Sequence, residues 1–389
     1  MTIEENLLKG FKEVYGDEGE IRGYMAPGRV NLIGEHIDYN GGHVFPCALT
    51  VGNYAIVRKR NDDKIRFYSA NYKKGGIYNT SLSDLVYSQK AFWTNYPKGV
   101  MWTFEKYGYK ITHGFDIYIW GNIPGSGLSS SAAMEVVMAV MLKDYFHFDV
   151  DGIKIAQMTQ YSENNFNNMN CGIMDQFASS MGKKDMAIYL DCATLKYDYI
   201  PLVLKGYKII VINSNKPHSL ASSHYNDRRK ECEYALKCLQ KSVKIDSLCQ
   251  LTPEEFSFYQ SNIPDSTARS RAYFAVNEEN RTKLAVKALK ANDIETFGSL
   301  ISESGDGLRF DYDATCKEID ILVDAAKKQK GCVGSRETGG GWGGNTISIV
   351  KEEDVEAFIN NVKEEYKSKT GLEAGIHELD VGDGGRRLF

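Results

Sequence analysis

Near its start the chain reads Gly28-Arg29-Val30-Asn31-Leu32-Ile33-Gly34-Glu35-His36-Ile37-Asp38-Tyr39-Asn40-Gly41-Gly42, a run in which glycines separate ionisable and amide side chains. Arg29, Glu35, His36 and Asp38 are crowded into it. Exposed charges at this density add little stability to a fold. The run therefore predicts a site that grips a polar ligand.

A second glycine-rich run follows a strand pattern. Phe115, Ile117 and Ile119 alternate with polar neighbours, the segment 121–128 is rich in glycine, and Ser129 to Phe146 favours helix. The first N–H groups of a helix lack intrahelical partners, so a glycine turn into a helix can hold phosphate, and serine hydroxyls there can bond phosphate or Mg²⁺. The same pattern is typical of a serine-capped helix after a tight turn. Within this second run there is neither a Walker loop nor a G-x-G-x-x-G pattern.

The remaining patterns indicate an α+β architecture. A strand is predicted at Lys208 to Ile212, a glycine-rich run covers Gly339 to Gly344, a strand follows at Thr346 to Val350, and a helix with one apolar stripe follows at Asp354 to Lys367. A chain of 389 residues exceeds the usual size of a single core, so we expect two domains. We place them at 1–205 and 206–389.

Composition narrows the class of protein. A net charge of −4, from 47 basic and 51 acidic residues, gives no field that would attract nucleic acid or an acidic membrane. The acidic N-terminus lacks the features of a signal peptide, and no apolar run approaches the length of a membrane span. The eight cysteines show no C-x-x-C spacing. We expect a cytoplasmic protein, a monomer, with small molecules as partners.

Several segments, in this order, resemble the galactokinase branch of the GHMP sugar and metabolite kinases. They are Gly28 to Gly42, Ile123 to Ala133, Asn170 to Phe177, Asn213 to Leu220, Tyr225 to Arg229 and Gly339 to Gly344. The resemblance implies an N-terminal domain of the ribosomal-protein-S5 domain-2 type and a ferredoxin-like α+β C-terminal domain, with the active site in the cleft between them. It also implies transfer of the γ-phosphate of ATP to the anomeric hydroxyl of galactose, with Mg²⁺.

The resemblance assigns roles to residues that match the family motifs. Asp175 would be the catalytic acid/base, and Arg29 would hold it ionised and stabilise transition-state charge. The sugar-binding residues would be Glu35, His36, Asp38, Tyr225, Asn170 and Gly172. The nucleotide-binding residues would be Ser69, Gly125, Ser126, Gly127, Leu128, Ser129, Ser130 and Ser131. Ser131 and Glu163 would hold Mg²⁺, although Glu163 could equally lie on a solvated helix face.

The C-terminal half departs from the family pattern at positions that relatives usually fill differently. These positions are Tyr273, Phe274, Gly305, Gly307, Glu337, Asn345 and His377. Two alternatives stay open. The departures, together with Trp342, favour a 1-kinase for N-acetylgalactosamine or a related sugar. The other alternative, from a different class, is a sensor that binds galactose and ATP without turnover. The intact Asp175 and Ser131 argue against the sensor.

Overall fold

The structure, a computed structural model, describes residues 2–124, 127–216 and 225–389. Its helices are α1 Ile3–Tyr15, α2 Asn95–Lys106, α3 Ser130–Phe146, α4 Gly152–Asn165, α5 Met174–Met181, α6 Tyr225–Leu239, α7 Pro253–Tyr259, α8 Ser266–Lys290, α9 Ile294–Phe310, α10 Lys317–Lys327 and α11 Val355–Thr370. Its strands are β1 Ile21–Asn31, β2 His43–Val44, β3 Pro46–Lys59, β4 Lys64–Ser69, β5 Tyr78–Ser81, β6 Phe115–Gly121, β7 Met186–Asp191, β8 Tyr197–Pro201, β9 Tyr207–Asn213, β10 Cys332–Thr338, β11 Asn345–Lys351, β12 Gly375–Glu378 and β13 Arg386–Arg387.

A six-stranded sheet forms the N-terminal half, in the order β13-β1-β3-β6-β4-β5. Only β4 and β6 run parallel among these pairs of described strands. Alternate residues of the strands face opposite sides. Ile117 and Ile119 pack with helices α2, α3 and α4, whereas Tyr118 packs with Phe11 of α1 on the other face. The sheet is therefore covered on both faces by helices.

The C-terminal half contains a four-stranded antiparallel sheet in the order β10-β11-β9-β12. Ile210 and Ile212 of β9 pack with helices α10 and α11. Ile209 and Val211 face the other way, into a core that also contains Val30 of β1. The two halves therefore share one hydrophobic cluster, and the cleft between them is fixed by buried side chains.

Two further features complete the architecture. Strands β2, β7 and β8 form a small three-stranded sheet. The last strand, β13, pairs with β1, so the end of the chain returns to the first sheet. No helix in the described ranges combines the length and the apolarity needed to cross a bilayer. All eight cysteines are free thiols.

The structure confirms the predicted α+β elements, with one correction. Strands β6, β9 and β11 and helix α11 lie where the sequence patterns predict them. Helix α3 begins at Ser130 and not at Ser129, which has φ 59° and ψ 46° in the left-handed region. Ser129 departs from helical geometry, and its hydroxyl bonds the carboxylate of Asp175.

Candidate active site

A cavity of about 490 Å³ lies between the two halves. Its walls come from the end of β1 and the loop after it, from the segment leading into α3, from the start of α5 and from the glycine-rich run 339–343. Most of the sequence-predicted site residues line it, namely Arg29, Glu35, His36, Asp38, Ser69, Gly127, Ser129, Ser130, Ser131, Glu163, Gly172, Asp175 and Tyr225. The structure therefore brings together residues that are far apart in the sequence.

Asp175 lies in the first turn of α5. One of its carboxylate oxygens faces a guanidinium group and the other accepts from a hydroxyl group. Arg29 approaches Oδ1 with Nε at 2.9 Å and Nη2 at 2.8 Å, and Ser129 Oγ donates to Oδ2 at 2.5 Å. Arg29 is 3% exposed, whereas the Asp175 side chain is 30% exposed. The helix N-terminus and the guanidinium both favour a negative carboxylate. The arrangement presents to the cavity a carboxylate with both oxygens held in place.

Gly28 explains how β1 places Arg29. The pairing of β1 with β3 shifts register between Pro27 and Arg29. A Cβ at Gly28 would lie 2.6 Å from the carbonyl oxygen of Leu128, which accepts a hydrogen bond from the Arg29 amide at 3.2 Å. The glycine thus lets the strand lie against the loop before α3, and the Arg29 side chain also bonds the Gly127 carbonyl at 3.0 Å.

Asp38 is partly buried, close to the backbone of the segment before α5. Its Oδ1 accepts from the Tyr39 amide at 3.0 Å and its Oδ2 from the Met174 amide at 3.4 Å. A Cβ at Gly172 would overlap the Asp38 carboxylate, so only glycine permits this approach. Burial, together with repulsion from Asp175, raises the pKa of Asp38 to about 7. Asp38 is therefore a carboxyl whose charge depends on what binds beside it.

Glu35 is held from the C-terminal half. Its Oε1 accepts from Arg336 Nη2 at 2.5 Å, from the Gly339 amide at 2.8 Å and from Thr338 Oγ1 at 3.2 Å. Arg336 is fully buried and also bonds Ser304 Oγ at 3.1 Å. All of these bonds reach one oxygen, and Glu35 lines the cavity. Sequence reasoning missed Arg336, because it lies about three hundred residues from its partner.

His36 lies in an aromatic setting. It has φ 61°, and its ring lies 4.9 Å from the ring of Tyr312 and 5.2 Å from that of Tyr225, centroid to centroid. Burial, then the positive charges of Arg228 and Arg336, lower the pKa of His36 to about 3. Its Nε2 is buried and has no hydrogen-bond partner in the described part of the chain. A neutral imidazole therefore stands at the cavity wall with one nitrogen unused.

Two predicted residues contribute differently from expectation. Asn170 is exposed and lies outside the cavity lining, and its carbonyl accepts from Arg229 Nη1 at 2.9 Å. Leu128 is 1% exposed and its side chain packs in the core between the halves. Leu128 therefore offers only backbone groups to this region. Gly125 and Ser126 lie outside the described residues.

The segment 127–131 meets the C-terminal glycine run at the start of α3. Gly127 has φ 91°, and a Cβ at Gly339 would lie 2.5 Å from the Gly127 carbonyl oxygen. Gly339 itself has φ 101°, which side chains rarely adopt. The hydroxyl-bearing start of α3 thus faces the cavity between two close backbones, as expected for a phosphate-binding helix N-terminus.

Glu163 is buried beside this helix start, which excludes the solvated face that its sequence allowed. Its Oε2 accepts from Gln176 Nε2 at 2.5 Å. Burial and the charge of Asp175 raise the pKa of Glu163 to about 7, although Ser131 lowers it. Glu135 lies behind it, and burial raises the pKa of that carboxyl well above its usual value. No cluster of three His, Cys, Asp or Glu suited to a metal occurs in the described ranges.

The cavity is also lined by aromatic and amide side chains that sequence reasoning did not identify. They are Asn53, Asn71, Tyr72, Phe92, Trp93 and Tyr96. Phe92 is 70% exposed and has φ 48° and ψ −123°, and its ring centroid lies 6.1 Å from that of Tyr72. The sequence signal that could have identified these residues is the aromatic-rich segment 92–96. A flat apolar ligand group fits such a surface.

The departures in the C-terminal half lie behind the cavity lining, and Asn345 Nδ2 would lie 3.4 Å from a Cβ at the lining residue Gly127. A Cβ at Gly305 would lie 2.8 Å from Cβ of Arg336, and one at Gly307 would lie 3.0 Å from the Phe274 ring. Tyr273 is exposed, and His377 pairs with Val211 in the β12–β9 ladder. Among the described residues lining the cavity, none is one of the departures named above.

Family models match three parts of the chain. The galactokinase galactose-binding signature matches residues 9–59. The GHMP kinases N terminal domain matches residues 95–183, and the GHMP kinases C terminal model matches residues 285–368. Together they cover more than half of the sequence.

Similar proteins match over the whole chain. A galactokinase of Fusobacterium nucleatum is 51% identical over 99% of both chains, and one of Bacillus subtilis is 49% identical over 99% of both. The crystal structure of Lactococcus lactis galactokinase complexed with galactose matches with a TM-score of 0.97 and 41% identity, covering 100% of each chain.

Proposed function

The chain belongs to the galactokinase family of GHMP kinases, and we propose that it transfers the γ-phosphate of ATP to the anomeric hydroxyl of D-galactose, giving α-D-galactose 1-phosphate. It is an enzyme that phosphorylates galactose, with ATP as co-substrate. The observation that carries the residue assignment is the pairing of Asp175 with Arg29 and Ser129 at the middle of the cavity.

The sugar would bind at the end formed by Glu35, His36, Asp38 and Tyr225. Each sugar hydroxyl both donates and accepts, so carboxylates and an imidazole or phenol make suitable partners. A buried site of this kind rejects a sugar whose hydroxyl is misplaced, because its own polar groups are then left unpaired. Gly172 would act by admitting the Asp38 carboxylate. Asn170 would act at the cavity mouth through its neighbours, since its side chain is exposed.

ATP would lie along the rest of the cavity. Gly125, Ser126, Gly127, Leu128 and Ser129 to Ser131 would surround the phosphates, using the backbone amides and hydroxyls at the start of α3. Ser69, at the end of β4, would lie near the nucleoside. The aromatic side chains of Tyr72, Phe92 and Trp93 would contact the adenine ring.

Ser131 and Glu163 fit a Mg²⁺ ion. Both line the cavity, and Ser131 lies close enough to lower the pKa of Glu163. Mg²⁺ prefers a few protein oxygens and completes its shell with water and phosphate oxygens, so two protein ligands are enough. A bound Mg²⁺ would neutralise charge on the phosphates during transfer. It would also offset the burial of the Glu163 carboxylate.

Asp175 would receive the proton of the acceptor hydroxyl late in the reaction. A sugar hydroxyl is a far weaker acid than a carboxylic acid, and each pKa unit of mismatch costs about 1.4 kcal/mol. Prior deprotonation is therefore excluded. A loose phosphoryl-transfer transition state needs alignment and charge neutralisation more than an activated nucleophile. Arg29, which holds the carboxylate in place, would also stabilise the charge that spreads over the transferring group.

We also propose 1–205 and 206–389 as the two domains. Strand β9, the first of the C-terminal sheet, starts at Tyr207, just past this boundary, whereas β13 returns to the first sheet. The cytoplasmic location and the monomeric state stay predictions from the sequence. The N-acetylgalactosamine kinase stays an alternative, because Trp342, one of the residues that suggested it, lies beside His36 with its ring centroid 6.1 Å away. The sensor stays the other alternative.

The product test is incubation with Mg-ATP and single sugars: galactose, N-acetylgalactosamine, glucose and arabinose. We expect ADP release with galactose and a phosphorus NMR signal of an α-anomeric 1-phosphate. Phosphorylation at another hydroxyl would contradict the proposed regiochemistry. Turnover of N-acetylgalactosamine alone would show that this sugar, and not galactose, is the substrate. Binding of galactose without turnover would indicate the sensor.

A further inference from the structure

A row of buried and partly buried polar side chains starts at His36 and runs into the C-terminal half. Nδ1 of His36 lies 2.9 Å from the hydroxyl of Tyr39, which lies 2.7 Å from the hydroxyl of Tyr312. The Tyr312 hydroxyl in turn lies 3.2 Å from Sγ of Cys232 in α6. All three separations are within hydrogen-bond range. The row therefore connects the sugar end of the cavity to the other half of the chain.

Every member of the row is neutral near pH 7. Burial lowers the pKa of His36 to about 3, so its ring carries a single N–H. Burial raises the pKa of Tyr39 and of Tyr312 well above the usual value, and it raises that of the Cys232 thiol to about 11. Each of these three groups thus keeps one hydrogen. Because each bond uses one hydrogen, all groups in the row must donate towards the same end. Either each group donates towards His36, or each donates towards Cys232.

The bond at His36 decides between the directions. A neutral imidazole nitrogen is a much better acceptor than a phenol oxygen, and a phenol is a better donor than a neutral imidazole. Tyr39 therefore donates to Nδ1 of His36, Tyr312 donates to Tyr39, and the Cys232 thiol donates to Tyr312. The single ring hydrogen of His36 is then on Nε2.

We propose that Tyr39 and Tyr312 are positioning residues that hold His36 in the Nε2–H tautomer, so that His36 meets a sugar hydroxyl as a donor and never as an acceptor. The ring lines the cavity, and Nε2 is its unused polar atom within the described residues. The tautomer follows from the hydrogen-bonded row alone. Only the statement about the sugar rests on the proposed function.

The tautomer is measurable in the free protein by ¹⁵N NMR of histidine-labelled enzyme. The chain has seven histidines, and the variant His36→Gln identifies the signals of His36. We expect the Nε2–H form in the wild type and a mixture of tautomers in Tyr39→Phe, with a smaller change in Tyr312→Phe. The control is Tyr366→Phe, which removes another buried hydroxyl, one that donates to the Ser214 carbonyl at 2.7 Å. It should leave the His36 signals unchanged.

An Nδ1–H form in the wild type, or an unchanged tautomer in Tyr39→Phe, would overturn the proposal. These spectra need neither sugar nor turnover. The tautomer proposal can therefore be contradicted while the proposed function stands, and the reverse also holds.

Kinetics test the statement about the sugar. Tyr39→Phe should raise KM for galactose about tenfold, the effect of one weakened hydrogen bond, with KM for ATP unchanged. At the ring position whose hydroxyl accepts from His36, the deoxyfluoro galactose should have a higher kcat/KM than the deoxy sugar. Fluorine can accept a hydrogen bond but cannot donate one. His36→Gln should keep more activity than His36→Leu, since its amide can still donate. An unchanged KM for galactose in Tyr39→Phe would overturn the donor role.

Discussion

Arg336 and Glu35 form a fully buried ion pair between the two halves of the chain. The pair joins Nη2 of Arg336 to Oε1 of Glu35 at 2.5 Å, with side-chain exposures of 0% and 1%. Glu278 lies 3.8 Å from Nη1 of the same arginine. A residue of the sugar end of the cavity therefore depends on β10 for its charge balance, and both stability and galactose affinity should respond to Arg336.

Replacing Arg336 by methionine should destabilise the enzyme strongly. Removing one partner of a buried ion pair leaves the other charge uncompensated, which typically costs about 3–5 kcal/mol. KM for galactose should rise as well, because Glu35 loses its orientation. The control is Arg309→Met, which breaks partly exposed pairs with Asp320 and Asp324 and should cost about 1 kcal/mol or less. Equal losses in urea unfolding of the two variants would contradict the role of Arg336.

Asp38 gives the free enzyme a pH-dependent stability. Its pKa is raised to about 7 in the folded state, so the folded protein binds its proton more tightly than the unfolded chain does. The stability that the proton on Asp38 gives to the folded state is therefore lost as pH rises from the pKa of an aspartate in the unfolded chain, about 4, towards 7. Asp38→Asn should raise Tm at pH 8 more than at pH 5, while weakening galactose binding.

The matched control for Asp38 is Asp63→Asn, which changes an exposed carboxylate. Its Tm should follow that of the wild type at both pH values. If Asp38→Asn showed the same shift at pH 5 and pH 8, the raised pKa would be excluded.

Gly172→Ala should nearly abolish use of galactose, because the new Cβ would overlap the Asp38 carboxylate. Asp38 or the backbone before α5 would have to move, and a displacement of about 1 Å at a reacting site can cost 10²-fold in rate. The comparison is Gly375→Ala, whose Cβ would meet its nearest atom, in Asn213, at 3.4 Å. Normal kcat/KM for galactose in Gly172→Ala would show that the close approach is dispensable.

Phe92 should contribute to ATP binding at a cost in stability. Its φ of 48° is a conformation that glycine adopts without strain. Phe92→Ala and Phe92→Gly should both raise KM for ATP, by about tenfold if one ring contact worth about 1.4 kcal/mol is lost. Phe92→Gly should also have a higher Tm than Phe92→Ala. The exposed Phe258, in α7, provides the control Phe258→Ala. Unchanged KM for ATP would remove Phe92 from the nucleotide site.

The sequence predicted the parts of the site that lie in short, recognisable motifs. Arg29, Glu35, His36 and Asp38 occur within ten residues, and the structure places all four at one cavity. It could not predict partners brought together by tertiary packing. Arg336 reaches Glu35 only because Gly305 lets α9 lie close to β10.

Two local features also escaped the sequence. Helical propensity extends over Ser129, but its hydroxyl bonds Asp175 and the helix starts one residue later. Glu163 lies in a polar run that suggests an exposed face, yet α3 and α5 cover it and bury it to 4% exposure. In both cases a tertiary contact overrode a local preference.

The measurement that tests the central claim most directly is a comparison of Asp175→Asn with the wild type, using kcat with Mg-ATP and galactose affinity by calorimetry. If Asp175 accepts the hydroxyl proton, kcat should fall by about 10²- to 10⁴-fold, while galactose still binds, because the amide keeps the shape of the side chain. A kcat near that of the wild type would contradict the role of Asp175 in phosphoryl transfer.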